Sequence, residues 1–149
     1  MKISEQMEVG RCGEYFSVFT LISQGFAAYL TDQGLVYDLV VDVDGVLLKG
    51  QVKTTLGASN YGKSKNVCRF GTRRAKKTLR CALIDECDFY AFVSINDKEV
   101  AFILTKDLES SKNKGKIKQT LDFSVDDAHL KMKKLSDFSS FSKMIEGIE

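Results

Sequence analysis

Residues 37–54 read YDLVVDVDGVLLKGQVKT. Two apolar runs, 39–43 and 46–48, flank Asp44-Gly45. Such a dipeptide between apolar runs is a strong signal for a two-residue hairpin, because both turn positions need positive φ, which these residues adopt at low cost. With residues 44 and 45 in the turn, Val43 faces Val46, and the pairing runs outward until Asp38 meets Gln51. Directly opposed residues share a face, with Cβ atoms about 4.5–5.5 Å apart. Lys53, two positions past Gln51, points the same way, while Leu39, Val41, Leu48 and Val52 point into apolar packing. The hairpin is thus expected to gather a carboxylate, an amide and an ammonium, provided that no bulge shifts its register. Gly50 falls on the apolar side. It either lets the first helix approach closely or is a tolerated weak spot in the strand.

Upstream, residues 8–23 fit a helix in which Tyr15, Phe19 and Ile22 recur on one face with Val18 beside them, and Gly25 is a reasonable stop. Residues 26–30 read as a short strand. Downstream, residues 55–66 read as a mobile loop, and 67–80 as an extended piece with a short basic helix. Residues 89–95 and 100–104 form a second hairpin around Asn96-Asp97, and 109–118 a polar loop. A C-terminal helix is expected from about Ser136, with Phe138, Phe141, Ile145 and Ile148 on one side. No repeat and no proline-rich linker divides the chain. The expectation is an α/β fold in a single domain spanning 1–149.

A chain of 149 residues with 44% hydrophobic and 28% charged residues is long and apolar enough to bury a core, which excludes disorder. No apolar run approaches the ~20 residues that cross a bilayer. The first ten residues, MKISEQMEVG, carry no apolar signal segment, so a cytoplasmic protein is expected. Cys12, Cys68, Cys81 and Cys87 form no C-x-x-C pair, which points to free, partly buried thiols rather than zinc. Charge is segregated. Residues 1–48 hold seven acids and two bases, whereas 49–83 hold ten Lys or Arg and no acid. A stretch of one sign suggests a polyanionic partner, nucleic acid ahead of a membrane.

The polar cluster has a chemical use. A carboxylate, an amide oxygen and a backbone carbonyl are hard ligands suited to Mg²⁺. A neighbouring lysine can position or deprotonate water, and metal and cation together stabilise charge on an attacked phosphodiester. On its own, Asp…Gln-x-Lys also fits an ordinary solvent-facing strand.

Gly13-Glu14 in the first helix, Tyr37-Asp38 at the strand start and Gln51-Val52-Lys53 on the next strand add context. This arrangement resembles the PD-(D/E)-x-K nuclease superfamily over roughly residues 8–108, and is most similar to its small group I intron-encoded homing endonucleases, which also use Gln. The resemblance implies a restriction-endonuclease-like mixed central sheet flanked by helices, with an extended basic loop or β arm at about 55–80 and a helical segment at about 121–149. It implies Asp38 as central metal ligand, Val52 as carbonyl ligand, and Glu14 as a direct or water-mediated ligand. Gln51 would complete the shell and Lys53 would act on the attacking water. Tyr37 stands where the family has proline, and Gln51 removes one negative charge, which lowers the expected metal affinity.

Residues 57–64, GASNYGKS, match a phosphate-binding P-loop letter for letter. Such a loop follows a buried parallel strand and opens an amphipathic helix, and neither context is present here. The same basic residues suit an arm on DNA. The expected contacts are Lys63, Lys65, Arg69, Arg73, Arg74, Lys76, Lys77 and Arg80, with Arg69 and Arg73 presenting guanidinium forks in the major groove and lysines on phosphates. Lys112, Lys114, Lys116 and Lys118 form a weaker second run, and His129 is read as surface.

The sequence therefore leads to the expectation of a Mg²⁺-dependent, site-specific endonuclease of double-stranded DNA. Each cluster cuts one strand, so a homo-oligomer, dimer or tetramer, is expected on a near-palindromic site, with the C-terminal aromatic stripe as a candidate interface. The alternatives are a Holliday-junction-type resolvase with the same shell, a DNA-binding module without turnover, and a P-loop NTPase.

Overall fold

A computed structural model describes residues 5–32, 34–73, 82–127 and 131–148. The chain runs α1 (Glu5–Ser23), β1 (Ala27–Leu30), β2 (Leu39–Val43), β3 (Val46–Thr55), β4 (Ser59–Tyr61), β5 (Ser64–Gly71), β6 (Phe89–Ser94), β7 (Glu99–Leu104), β8 (Thr120–Ser124) and α2 (Phe141–Ile145). Short 3₁₀ turns occupy Thr105–Leu108 and Leu135–Phe138. Five strands form a mixed sheet in the order β1-β2-β3-β6-β7, in which only β3 and β6 are parallel. Strands β4-β5-β8 form a second, antiparallel sheet.

Phe89–Ser94 is buried throughout, as the unbroken apolar run 89–93 requires of a central strand. Its residues divide by parity. Phe89, Ala91 and Val93 join Leu21, Leu39, Val41, Leu48, Val52, Phe141 and Met144 beneath the two helices. Tyr90 and Phe92 pack with Cys68, Phe70 and Phe123 of the second sheet. Helices therefore cover one face of the mixed sheet and β4-β5-β8 covers the other. Among the described residues no helix is long and apolar enough to cross a membrane.

Three expectations change. The helix turns Gly13, Ser17 and Leu21 inward, and leaves Tyr15, Phe19 and Ile22 exposed at 57%, 66% and 56%. The small residues win the inner face because a close approach leaves no room for rings. A Cβ on Gly13 would fall on the side chain of Thr54. Gly50, by contrast, does not admit the helix: the Phe89 ring and Leu39 fill the space above it. Residues 59–71, expected to begin as a loop, form the hairpin β4/β5, with Gly62 at φ 58° in its turn. GASNYGKS therefore leads into a strand rather than a helix, which removes the P-loop reading.

The C-terminal aromatics are core. Phe141 is fully buried and its ring meets those of Phe26, Phe89 and Phe102. They are not a free interface. Helix α2 starts at Phe141, its first turn capped by Ser140 accepting from the Lys143 amide, and β8 precedes it within the segment read as helical.

Candidate functional site

The hairpin β2/β3 pairs as the Asp44-Gly45 turn dictates: Val43↔Val46, Val41↔Leu48, Leu39↔Gly50. Asp44 and Gly45 both have positive φ, 52° and 87°. The ladder stops one residue short of Asp38, whose amide donates to the Gly50 carbonyl at 2.8 Å. Its own carbonyl accepts from the Thr31 amide at 2.9 Å, and the Thr31 hydroxyl donates to the Tyr37 carbonyl at 2.7 Å. Asp38 is thus clamped between β1 and β3, with both backbone groups committed.

The side chains meet nonetheless. Gln51 Nε2 donates to Asp38 Oδ2 at 2.5 Å, and the Val52 amide donates to the same oxygen at 2.8 Å. Lys53, half-buried, lies on the Gln51 side of β3, away from the face where Val52 is buried. Glu14 enters from α1. Its backbone position is set by Gly13 resting on Thr54 and by the Ser17 hydroxyl donating to the Gly13 carbonyl at 2.8 Å. Burial pushes the Glu14 carboxyl above its ordinary range and the charge of Asp38 pushes the same way. Arg11, 3.8 Å away, pulls it back. Two carboxylates thus sense each other in partly dry surroundings, one of them held by the Gln51 amide.

No group of three or more His, Cys, Asp or Glu able to hold a metal ion occurs among the described residues. At this cluster the acids are Asp38 and Glu14, and Gln51 contributes a neutral amide. A cavity of about 690 Å³ lies elsewhere, lined by Ile103, Leu108, Phe123, Lys131 and Lys133, and none of the four cluster residues borders it.

Of the expected DNA contacts, Lys63, Lys65, Arg69 and Arg73 are exposed on or beside β5. Arg74, Lys76, Lys77 and Arg80 lie outside the described residues, as does His129. Neither described arginine is an isolated fork. Arg69 makes two hydrogen bonds to Asp122, Nε to Oδ1 at 2.8 Å and Nη2 to Oδ2 at 3.0 Å. Arg73 Nη2 donates to Gln119 Oε1 at 2.5 Å. Sequence reading missed Thr31, Thr54 and Asp122. Only the last had a signal, the alternation Leu121-Asp122-Phe123 of a half-buried strand.

No protein-family profile matches this chain, and no curated protein does. Among solved structures, a bacterial homing endonuclease, I-Ssp6803I, matches with a TM-score of 0.69 at 16% identity, over 96% of this chain and 92% of that one. At that identity the likeness is one of fold: α1, the mixed sheet and the second sheet together have a solved counterpart.

Proposed function

We propose that this chain is a Mg²⁺-dependent, site-specific endonuclease of double-stranded DNA, of the homing type. In this reading it follows the PD-(D/E)-x-K plan, with Gln51 in place of the usual second acid. The observation that carries the reading is the grip on Asp38. One carboxylate oxygen takes both the Gln51 amide and the Val52 N–H, with Glu14 raised first by burial and then by the Asp38 charge, on a fold shared with a homing endonuclease.

The donor set fits a small hard cation. Paired carboxylates drawn together in a half-buried site repel, and a divalent ion relieves that repulsion. Asp38 and Glu14 would hold it, with the Val52 carbonyl and Gln51 as further oxygen ligands. When bound, Mg²⁺ supplies Lewis acidity at the scissile phosphate and lowers the pKa of bound water. The chain's own residues do the rest. Backbone bonds from Asp38 to Thr31 and Gly50 fix its main chain while the Gln51 amide and the Val52 N–H hold its carboxylate, and preorganisation of this kind lowers the cost of reaching the transition state. Lys53, on the Gln51 side of the strand, orients the attacking water and offsets the charge that grows on the phosphoryl oxygens. Lys63 and Lys65 hold phosphates along the ribbon.

A double-strand break needs two such clusters. Pairing of two copies through the outward stripe of α1, Tyr15, Phe19 and Ile22, would supply them and cover apolar surface that a monomer leaves wet. Gln51 favours one second reading, a DNA-binding module that no longer turns over.

Lys53→Ala separates the readings. The nuclease reading expects cutting to be lost while duplex affinity largely remains. Equal loss of both would make Lys53 a phosphate contact only, and a wild-type chain that binds duplex without ever cutting it would leave the binding module standing.

A further inference from the structure

On the second sheet Arg69 of β5 stands directly opposite Asp122 of β8, and Tyr61 of β4, whose own cross-strand partner is Ser64, meets the Arg69 guanidinium diagonally. The inner face belongs to Cys68, Phe70 and Phe123. The Arg69 guanidinium lies over the Tyr61 ring at 4.0 Å from its centroid, and is held side-on by both Asp122 oxygens. Its side chain is 42% exposed.

Side-on pairing uses Nε and one hydrogen of Nη2. A guanidinium has five N–H donors in a planar fork, so the edge formed by Nη1 and the second Nη2 hydrogen is left for another partner. Exposed ion pairs contribute little to stability, so two restraints on one surface arginine are poorly explained as a staple for the fold. A phosphate contact does not explain them either, because a carboxylate beside the cation weakens its pull on a phosphate. Orientation is what they provide, at the expense of net charge. Orientation matters for reading a base edge. In the major groove only guanine presents two acceptors side by side, N7 and O6; adenine sets a donor beside its N7.

We infer that Arg69 is a guanine-reading residue held in register by Asp122 and Tyr61, which act as positioning residues. This rests on the proposed DNA-cutting function and goes beyond it by naming the base and the two residues that aim the fork. Lys63 and Lys65, point charges without a fork on the same ribbon, then serve affinity rather than choice of sequence.

The test is selection of bound duplexes from a randomised double-stranded pool, without divalent metal so that nothing is cut. The wild-type chain should enrich guanine at a defined position. Its preference over other bases there should be about 5- to 150-fold, the range of one good bidentate pair. Arg69→Ala should lose that preference at that position alone, and Arg69→Lys should lose it too, because a point charge has no fork. Asp122→Ala should reduce the same preference while affinity for random duplex rises with removal of a negative charge; Asp122→Asn should recover part of it. Replacing the selected guanine by 7-deazaguanine should weaken the wild type and leave Arg69→Ala indifferent. An unchanged motif from Arg69→Ala would overturn this inference alone. So would an Asp122→Ala that loses affinity for all sequences equally. A wild-type pool with no preferred sequence would overturn it together with the site-specific reading beneath it.

Discussion

Replacing Gly13 by alanine sets two known effects against each other. Alanine in a helix interior is favoured over glycine by about 0.5–1 kcal/mol, so on propensity alone the variant should be more stable. At this position, however, the added Cβ would meet Oγ1, Cγ2 and Cβ of Thr54. The last of these is fixed by the strand itself, and a β-branched side chain has little freedom at χ1 to move the others aside. Overpacking a well-filled contact costs about 1–3 kcal/mol, so with the helix-propensity gain subtracted the clash should win by roughly 1 kcal/mol. For a chain of this length that corresponds to a fall in melting temperature of ~2–4 °C. Thermal or urea unfolding measures it. A double-mutant cycle with Thr54→Ala should show a coupling above the ~0.3–0.5 kcal/mol scatter of independent sites, because removing the two γ atoms relieves most of the clash. The helix would also lift Glu14, the next residue, away from Asp38. A Gly13→Ala chain more stable than wild type would refute the docking of α1 on β3.

Gln51→Glu should raise affinity for Mg²⁺ and lower the stability of the metal-free chain, since a hydrogen bond to Asp38 becomes a repulsion; calorimetric titration and melting check both, and unchanged values in both would remove Gln51 from the site. Burial pushes the Cys68 thiol up to about 11, with the Asp97 charge adding to it against a Ser94 hydrogen bond. Brief alkylation near pH ~8 should therefore label exposed Cys12 and spare Cys68, as peptide mass mapping would show. Glu99 is raised by burial first and by Asp97 second, against Lys134, so the folded chain holds that proton more tightly than the unfolded one. Its contribution to stability is full in acid and lost as pH rises through the raised pKa. Glu99→Gln should match wild type near pH ~4 and exceed it near pH ~7. A difference independent of pH would contradict this.

Local chemistry was legible in the sequence; long-range choice was not. Asp44-Gly45 set the hairpin register from two residues, and the apolar runs 89–95 and 100–104 around Asn96-Asp97 marked the second hairpin. The inner face of α1 was not legible, because periodicity marks where apolar residues recur, whereas the packing was decided by a glycine meeting a threonine 41 positions away. The second sheet was hidden for a related reason. The polar stretch 59–66 carries little strand signal, and β5 is completed by β8, whose partner for Arg69 is 53 residues further on. At the site, the meeting of Asp38 and Gln51 followed from the turn. The Thr31 clamp did not, since nothing about a lone threonine announces which carbonyl it will bind.

The central claim is that Asp38, seated against Gln51 and beside Glu14, is the centre of a metal-dependent phosphodiester-cutting site. Incubating a large pool of duplex DNA with the chain, with Mg²⁺ or with chelator, and sequencing the new ends tests it most directly. Breaks should cluster at one sequence with Mg²⁺, vanish with chelator, and vanish in Asp38→Asn while that variant still binds the same duplex. Equal cutting by Asp38→Asn and wild type would contradict the account.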